Sequence, residues 1–291
     1  MPRILLFGAS GQLGIEVSRA QLPPGWEIAQ LNRDAIDLED TESISATIEA
    51  LNPDAIVNAA AYTAVDKAET EIDLALALNR DAPAAMARTA ARLGAPLIHI
   101  STDYVFAGDK PAPYVESDPR NPVNAYGRSK AEGEIAVLDL WDRAAIVRTS
   151  WVFSAHRANF LKTMLRLGET RGDIGVVCDQ LGRPTHAGDL ARGCLALAVR
   201  LLDGDAAAAG VFHFAGAGES TWADFADAIF TEAQSYGRAP VHVRRILTAD
   251  YPTPAARPAN SRLDTTKIEA LGIAPESWRD GVRAAVRELL T

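Results

Sequence analysis

The sequence predicts an α/β fold: a doubly wound parallel sheet with a smaller second domain intertwined with it. Three observations support this prediction. Short apolar runs alternate with longer amphipathic ones in the first half, a glycine-rich turn joins the first two runs, and no long linker separates the halves. Alternating strands and helices indicate βαβ units. Because crossovers between parallel strands are right-handed, a Rossmann-type doubly wound sheet is favoured.

The first half predicts five strands separated by helices. Each strand-like run is short and apolar, whereas the helix-like runs are longer and amphipathic. The strand runs are RILLFG, WEIAQLN, DAIVNAAA, PLIHIST and RAAIVRTSWVF, which start at residues 3, 26, 54, 96 and 143. The helix runs are QLGIEVSRAQL, DTESISATIEAL, DLALALNRDAPAAMARTAARLG and NAYGRSKAEGEIAVLDL. We expect Asp40 or Thr41 to cap the second helix and Gly94 to end the third.

The second half is less regular and predicts a smaller C-terminal domain intertwined with the sheet domain. A Pro-rich loop, ADYPTPAARPAN, leads to a terminal helix near SWRDGVRAAVRELL. We expect residues 1–153 to form the sheet domain, with a later segment at roughly 184–215 returning to it. Residues 154–291 then form mainly the second domain.

The composition is that of a globular chain with an acidic balance. Hydrophobic residues make up 48% of the 291 residues and charged residues 23%, the formal net charge is −9, and the pI is about 5.1. Nucleic-acid surfaces need clustered Lys and Arg, so this class of partner is not expected. No apolar run approaches the roughly 18 residues of a membrane span, and no charged leader precedes the first strand. With Cys178 and Cys194 in no metal-like or redox-like spacing, we expect a cytoplasmic protein without a membrane partner.

A glycine-rich turn follows the first strand, with Gly8, Gly11 and Gly14 in a G-x-x-G-x-x-G pattern. Such spacing gives a tight turn, close approach of backbone to a pyrophosphate, and close packing of helix on strand. The helix N-terminus adds free N–H groups and a partial positive charge. The alternative is a merely tight strand–helix turn. The turn therefore predicts dinucleotide binding by Gly8, Ser10, Gly11, Gln12, Leu13 and Gly14.

The ends of the next two strands predict the rest of the cofactor site. The second strand of such folds usually ends in an acid that binds a ribose 2′-hydroxyl. Here Asn32 and Arg33 stand near that place, and a guanidinium favours a 2′-phosphate. We therefore expect NADPH, although Asp34 beside Arg33 leaves NADH open. The other expected contacts are Asp37 and Leu38 at the adenine, and Ala59, Ala60 and Ala61 along the cofactor.

A phenol and an amine lie one helical turn apart in the fourth helix. Tyr126 and Lys130 stand at i and i+4, so they share a helix face. A phenol is a slow proton donor unless it is tuned, and a nearby ammonium would lower its pKa and could also bind the nicotinamide ribose. Thr102 ends the preceding strand, where its hydroxyl could hold a carbonyl oxygen against Tyr126. This arrangement predicts ketone reduction; on an exposed helix the same pair would be surface only.

Four motifs together resemble the extended short-chain dehydrogenase/reductase family. They are the glycine pattern, STDYVF at 101–106, NAYGRSK at 124–130 and RTSWVF at 148–153. Within that family the chain is similar, nearly end to end, to the branch that reduces the C4 ketone of dTDP-linked 6-deoxy-4-hexuloses. The similarity continues through NAAAYTAVDKAE, LNRDAP, DQLGRPT and RPANSRLDTTKIEALG. It implies an NAD(P)H-dependent oxidoreductase whose sheet domain binds the cofactor and whose C-terminal domain binds a dTDP-sugar substrate.

The resemblance also implies roles for single residues. Thr102, Tyr126 and Lys130 match the catalytic trio, with Tyr126 as proton donor, Lys130 as its tuner and ribose anchor, and Thr102 as orienter of the carbonyl. A planar guanidinium suits phosphate, and Arg257 matches a position near the nucleotide diphosphate. Trp151 matches an aromatic that packs on the deoxysugar; its alternative is an ordinary core tryptophan. The remaining substrate-pocket positions are Val65, Asp103 and Tyr104.

The chain departs from the family at a metal position. Some members dimerise through a magnesium ion held by glutamates, and Glu16 matches one ligand position. The later position falls on Gly188, which has no side chain to offer a ligand atom. We therefore expect no required metal, and Mg²⁺ and a homodimer are left open. Glu16 is otherwise an acid of the first helix, where the helix dipole favours it.

Two other functions share part of this pattern. An epimerase or dehydratase of the same extended family would use the same glycine turn and the same Tyr–Lys pair, but would retain NAD tightly. A non-catalytic, cofactor-binding regulatory subunit could keep the fold alone. The presence of Thr102, Tyr126 and Lys130 together favours the reductase.

Overall fold

The computed structural model describes residues 2–291, in which strands and helices alternate. The strands are β1 (Arg3–Phe7), β2 (Glu27–Leu31), β3 (Ala55–Asn58), β4 (Leu97–Thr102), β5 (Ala144–Thr149), β6 (Val152–Phe153), β7 (Asp173–Val177), β8 (Leu181–Gly182), β9 (Thr185–His186), β10 (Gly210–His213), β11 (Ser220–Thr221) and β12 (His242–Ile246). The helices are α1 (Gln12–Arg19), α2 (Thr41–Leu51), α3 (Ile72–Leu76), α4 (Ala82–Leu93), α5 (Ala125–Leu140), α6 (Phe160–Gly168), α7 (Ala187–Leu202), α8 (Trp222–Gln234), α9 (Thr266–Glu269) and α10 (Trp278–Leu290).

Six strands form one parallel sheet in the order β10-β5-β4-β3-β1-β2. The chain runs from β1 outward to β2, then returns to the other side of β1 and continues through β3, β4 and β5. In open sheets of this kind, the carboxyl ends of the strands at such a reversal form the ligand crevice. The predicted α/β, doubly wound sheet is confirmed. The reversal places the loops after β1, β3 and β4 next to one another.

Two apolar clusters cover the faces of this sheet. On one face Val17 of α1 and Leu190 of α7 pack against Ile4 and Val57 of the sheet. On the other face the cluster draws on α2, α4 and α5, with Met86 among its members. Burial of both faces explains why the strand sequences are almost continuously apolar.

A third apolar cluster lies outside the large sheet. It joins β7, α6, α8 and α10, with Ile174, Phe225 and Trp278 among its members. β7 pairs in parallel with β12 to make a two-stranded sheet. The part of the chain that returns from this region, α7, packs against α1 of the large sheet.

The helix caps follow the sequence closely. Asp40 accepts hydrogen bonds from the backbone N–H groups of Glu42 and Ser43, so it is the N-cap of α2. Gly94 ends α4 in the left-handed conformation, with φ of 71°. Both are expected from the chemistry of helix ends, because a short acid accepts the free N–H groups and glycine tolerates positive φ.

Two predicted elements are interrupted. The strand predicted from residue 143 divides into β5 and β6, because Trp151 adopts φ of 49° and turns the chain. The helix predicted from residue 73 contains a π-turn at Ala77–Asp81 between α3 and α4. Within residues 2–291, no helix combines the length and the apolar character that a bilayer span requires.

Candidate active site

The glycine turn after β1 packs backbone against backbone at distances that only glycine allows. Gly8 has φ of 78°, and a Cβ there would lie 2.7 Å from the backbone nitrogen of Ala60. A Cβ on Gly14 would overlap the carbonyl oxygen of Gly8. Gly11 is the N-cap of α1, and among the described residues no side chain caps its N–H groups. The cradle of glycines and the uncapped helix start therefore fit the pyrophosphate of a dinucleotide.

The other predicted residues of the turn differ in what they can offer. Leu13 is buried in the core under the sheet, so its contact with a cofactor would come from its backbone. The Gln12 side-chain oxygen already accepts bonds from Ser154 Oγ at 3.1 Å and Asn159 Nδ2 at 2.8 Å. Ser10 is half-buried, and its carbonyl oxygen accepts a bond from Arg157 Nε at 2.6 Å.

The segment 154–159 thus crosses the outer side of the turn, and it was missed from the sequence. Arg157 is exposed and has φ of 55°, an unusual conformation for a residue with a Cβ. Its Nε bond holds the guanidinium beside the turn, and within residues 2–291 its two terminal nitrogens have no hydrogen-bond partner. No local pattern marks Arg157, because it lies 147 residues from Ser10.

The end of β2 presents the residues predicted for the adenosine half. Asn32 Oδ1 accepts from the N–H groups of Asp34 and Ala35 at 3.0 and 3.1 Å, which shapes the turn after the strand. Arg33 is exposed on this turn, with no hydrogen bond or ion pair to any residue from 2 to 291. Asp37 is used locally, because its Oδ1 accepts from the backbone N–H of Glu39 at 2.9 Å. Leu38 is half-buried beside the apolar cluster.

The segment after β3 runs between the glycine turn and α5. Ala59, Ala60 and Ala61 are half-buried, and Ala60 lies against Gly8. Val65 follows them and packs in a small apolar cluster with Tyr62 and Tyr126.

Three contacts fix the start of α5, which carries Tyr126 and Lys130. Asn124 is the N-cap and its side-chain oxygen accepts from Gly127 N at 2.7 Å. Glu69 reaches from the loop after β3 and accepts from Ala125 N at 2.8 Å. A Cβ on Gly127 would overlap the carbonyl oxygen of Tyr104, so this glycine lets the helix approach the end of β4.

The predicted trio converges at the end of β4. Thr102 is 5% exposed and Tyr126 is 8% exposed, so neither faces bulk solvent. Burial raises the pKa of the Tyr126 phenol, the Thr102 hydroxyl opposes this, and the charge of Asp103 adds to it. The sequence predicted that Lys130 would lower this pKa. The structure shows the opposite direction, because burial of the phenol is the largest effect on its pKa and raises it. Tyr126 is consequently held in its protonated form at neutral pH, as a proton donor requires.

Lys130 lies under the sheet end rather than on the helix surface. It is 1% exposed, and its Nζ donates to the carbonyl oxygen of Ile100 at 2.6 Å. Burial lowers the pKa of its amine to about 8, although Glu134 one turn along the helix acts to raise it. The side chain of Lys130 can therefore exist as ammonium or amine close to neutral pH.

Asp103 is the unusual acid of the site. It is 3% exposed, its Oδ1 accepts from Thr102 Oγ1 at 2.9 Å, and among the described residues its Oδ2 is buried without a partner. Burial raises the pKa of this carboxyl to about 6. A buried, unpartnered polar atom has a cost that a substrate hydroxyl would remove, so its position suits substrate binding.

A cavity of about 580 Å³ is lined mainly by residues of α6, β7, β12 and the loop after β12, and Asp66 and Tyr104 line it from the loops after β3 and β4. Tyr104 lines it, and the Tyr104 ring meets the Tyr126 ring edge-on with centroids 5.7 Å apart. Three cations, Arg171, Arg244 and Arg257, also line it. Asp66 and Asp173 also line it and bond Arg257 and Arg244, so the cations of the lining exceed its acids by one, which suits a small anionic ligand.

Arg257 is the predicted diphosphate residue, and Asp66 positions it. Its Nη2 donates to Asp66 Oδ1 at 2.9 Å, while its Nη1 is buried without a hydrogen-bond partner in residues 2–291. Asp66 Oδ1 also accepts from Ala255 N at 3.1 Å, which ties the loop after β12 to the loop after β3. The sequence did not single out Asp66, because it acts only across this long-range contact.

Trp151 stacks on Trp222, a residue that the sequence analysis did not select. Their ring centroids are 3.7 Å apart and their planes differ by 13°. A Cβ on Gly182 would overlap the Trp151 ring, so Trp151 is tightly packed. Trp222 rather than Trp151 lines the cavity. The contact of Trp151 with a deoxysugar stays a prediction.

The metal position also has a defined surrounding. A Cβ on Gly188 would lie 3.4 Å from Glu16 Oε2, so this position does face Glu16. Glu288 and His156 lie beside Glu16, close enough for the three to offer ligand atoms. The guanidinium of Arg19 already lies among them, 2.7 Å from Glu288 Oε1 and 2.6 Å from His156 Nε2. That the chain requires no metal stays a prediction.

Comparison with known proteins gives one consistent result. The family model of the RmlD substrate binding domain matches residues 2–291. The dTDP-4-dehydrorhamnose reductase of Sinorhizobium fredii is 45% identical over 99% of this chain and 98% of its own length. The reductase structures from Clostridium acetobutylicum and, with NADP, from Bacillus anthracis superpose with TM-scores of 0.92 and 0.91. Both are 35% identical and cover 99% of this chain and 100% of theirs.

Proposed function

The chain belongs to the dTDP-4-dehydrorhamnose reductase family, and from this premise we propose that it reduces the C4 ketone of dTDP-4-dehydro-6-deoxy-L-mannose to give dTDP-L-rhamnose. It is an NAD(P)H-dependent oxidoreductase of dTDP-rhamnose synthesis. The observation that supports the proposal is that Thr102, Tyr126 and Lys130 meet at the end of β4, where the Tyr126 ring contacts Tyr104, a residue that lines the cavity. The names of the relatives favour the reductase over the epimerase or dehydratase alternative.

Residues of the sheet domain and the loop at Arg157 would hold the parts of NADPH. The glycine cradle and the start of α1 would hold the pyrophosphate, Arg33 the 2′-phosphate of NADPH, and Ala59 to Ala61 the length of the molecule. We add Arg157 to this set as a cation for the pyrophosphate, since its guanidinium is fixed beside Ser10. When bound, the reduced nicotinamide supplies the hydride for C4 of the sugar.

The chain supplies the proton and the orientation. Tyr126 donates its phenolic proton to the oxygen that was the C4 carbonyl, so the ketone gains one hydride and one proton. Thr102 Oγ1 hydrogen-bonds the same oxygen and keeps it against Tyr126. Lys130 lies one turn along the helix and would bind the nicotinamide ribose; in its ammonium form it would also stabilise a tyrosinate at Tyr126.

The substrate is held on the side of the third apolar cluster. Asp103 Oδ2 accepts a sugar hydroxyl, Tyr104 and Val65 shape the pocket, and Arg257 Nη1 donates to the diphosphate. Trp151, braced by Trp222, packs near the deoxysugar. Two of the three unpartnered buried side-chain atoms in residues 2–291 belong to predicted substrate residues, Asp103 and Arg257, which supports these roles; the third is Thr149 Oγ1.

The reaction is tested by following NADPH absorbance with the dTDP-4-keto sugar, generated enzymatically, as substrate. Oxidation of NADPH with formation of one dTDP-L-rhamnose per NADPH is expected. No oxidation, or tightly held NAD in the purified protein, would contradict the proposal. We further propose that the protein acts in the cytoplasm, and its mass in solution distinguishes a monomer from a homodimer.

A further inference from the structure

A buried histidine with no role in the proposed reaction lies beside Lys130. His99, in β4, is 0% exposed. Its Nδ1 lies 3.0 Å from Asn58 Nδ2, and its Nε2 lies 3.4 Å from Lys130 Nζ. Because neither ring nitrogen reaches solvent, both must be satisfied inside the protein.

Asn58 fixes the tautomer of His99. The Asn58 Oδ1 atom accepts from the backbone N–H of Ala60 at 3.1 Å, a bond that its NH₂ group could not accept. The amide orientation is therefore set, and Nδ2 donates to His99 Nδ1. Burial holds the pKa of His99 well below its usual value, and a charge on Lys130 lowers it further, so the ring is neutral whichever form Lys130 takes. A neutral imidazole that accepts at Nδ1 carries its proton on Nε2.

The Nε2–H group then faces Lys130 Nζ. An ammonium has three donors and no acceptor, so in that form two donors oppose each other at 3.4 Å. A neutral amine has a lone pair that accepts from Nε2–H. The bond from Nζ to the Ile100 carbonyl is open to both forms, so it does not distinguish them.

The other charged groups near Lys130 do not favour its neutral amine over its ammonium form. Glu134 lies on the same helix and favours the ammonium, but Arg148 binds its two oxygens at 2.8 and 2.7 Å. Arg120 and Ser101 bind the same carboxylate, at 3.2 and 2.5 Å. From the turn after β4, Asp103 acts on Tyr126. His99 is thus the group whose hydrogen bonding discriminates between the two forms of Lys130.

We propose that His99, held in one tautomer by Asn58, is a positioning residue that favours the neutral amine of Lys130. It thereby sets the pH at which the Tyr126–Lys130 pair gives up its proton. The second statement rests on the proposed reductase function, whereas the first concerns the protein alone. The two can fail separately.

The tautomer is read directly by nitrogen NMR of the protein labelled with ¹⁵N-histidine, without any ligand. We expect His99 to show a protonated Nε2 and an unprotonated Nδ1 at neutral pH. A proton on Nδ1, or a charged ring, would overturn the proposal whether or not the protein is a reductase.

Two substitutions test the effect on Lys130. His99→Phe keeps a ring and removes the Nε2–H donor, so the ¹³Cε titration of Lys130 should move up by about one pH unit. Asn58→Leu adds no charge and removes the Nδ2 donor, so the imidazole can carry its proton on Nδ1 and accept at Nε2 from the ammonium of Lys130, which shifts the titration the same way. In both variants the pH at which kcat falls on the alkaline side of its profile should rise together with the Lys130 titration.

His186→Phe is the control, because burial also lowers the pKa of His186 but this residue lies in β9, outside the large sheet that carries His99. It should leave the Lys130 titration in place. If His99→Phe does not fold, Asn58→Leu decides the matter. A Lys130 titration that is unmoved by both folded variants, or moved as far by the control, would refute the role of His99.

Discussion

Tyr126 combines the two properties that a proton donor to a ketone needs. It is protonated at neutral pH, because burial raises the pKa of its phenol, and it lies beside the Thr102 hydroxyl at the end of β4. The phenolic O–H is the only feature that Phe lacks. Its loss therefore isolates proton transfer from packing.

We expect Tyr126→Phe to lower kcat by about 10²- to 10⁴-fold, the usual contribution of a general acid. NADPH binding, measured by fluorescence titration, should be nearly unchanged. Tyr236→Phe is the control, because Tyr236 packs beside the third apolar cluster, and it should keep full turnover. Normal turnover in Tyr126→Phe would remove the proposed acid.

Arg33 and Arg157 divide the cofactor's phosphates between them. Arg33 stands on the turn after β2, so Arg33→Ala should weaken NADPH by about tenfold and NADH little. Arg157 is fixed to the glycine turn, so Arg157→Ala should weaken both cofactors about equally. Dissociation constants from titration calorimetry check both. Equal losses in Arg33→Ala, or an NADPH-specific loss in Arg157→Ala, would contradict the assignment.

Replacing Asp103 should raise the stability of the protein by an amount that depends on pH. Burial raises the pKa of its carboxyl from 3.8 to about 6, so the folded protein takes up a proton between these values and loses stability as pH rises through them. Asp103→Asn removes that cost. The free energy of unfolding should therefore rise by about 3 kcal/mol at pH 7 and by much less near pH 4.

Urea unfolding at the two pH values checks this, and kcat/KM with the dTDP-sugar should fall, because an acceptor for the substrate is lost. Such an exchange of stability for function is common at active sites. A loss of stability at pH 7 would show that the Asp103 charge is satisfied in some other way.

At the scale of elements, the position of α5 is fixed by its contact with the π-turn that precedes α4. The π-turn before α4 places Asn79 inside the protein, where its side chain bonds the backbone of Tyr62 and the hydroxyl of Ser129. Its carbonyl oxygen lies against Gly133 of α5, where a Cβ would overlap it. π-turns are often found at functional sites, and here one joins the loop of Val65 to the helix of Tyr126.

Gly133→Ala tests this contact. The added methyl must push α5 from the π-turn, so we expect a loss of about 1–3 kcal/mol in unfolding free energy and a fall in kcat. Gly172→Ala is the control, because a Cβ there meets nothing within 4 Å. Equal behaviour of the two variants would show that α5 is not constrained at Gly133.

The same elements show what could be predicted from sequence. The strands of the large sheet, the cap at Asp40 and the helix end at Gly94 follow from local chemistry, and the structure confirms them. The break at Trp151 and the π-turn could not be predicted, because both depend on distant partners, Gly182 and Trp222 for one and Gly133 for the other. Arg157 and Asp66 were missed for the same reason.

At the scale of the whole molecule, the site lies where two groups of core residues meet. We propose two domains, residues 1–153 with the segment 184–215, and residues 154–291 for the rest. Separate apolar clusters on the large sheet and around β7 and β12 support this division. The cavity is lined by residues around β7 and β12 together with Asp66 and Tyr104 from the loops after β3 and β4, so substrate binding depends on the relative placement of the two domains.

Asp66 and Arg257 link these two groups at the cavity. Arg257 Nη2 is held by Asp66, which leaves the buried Nη1 directed away from that bond and without a partner among residues 2–291. If Nη1 binds the substrate diphosphate, Arg257→Gln should raise KM for the dTDP-sugar by about 10- to 100-fold, the value of a charge-assisted hydrogen bond, and leave NADPH binding unchanged. Asp66→Asn keeps Arg257 and should raise KM less. Steady-state kinetics with both substrates varied measures this; an unchanged KM in Arg257→Gln would place the diphosphate at Arg171 or Arg244 instead.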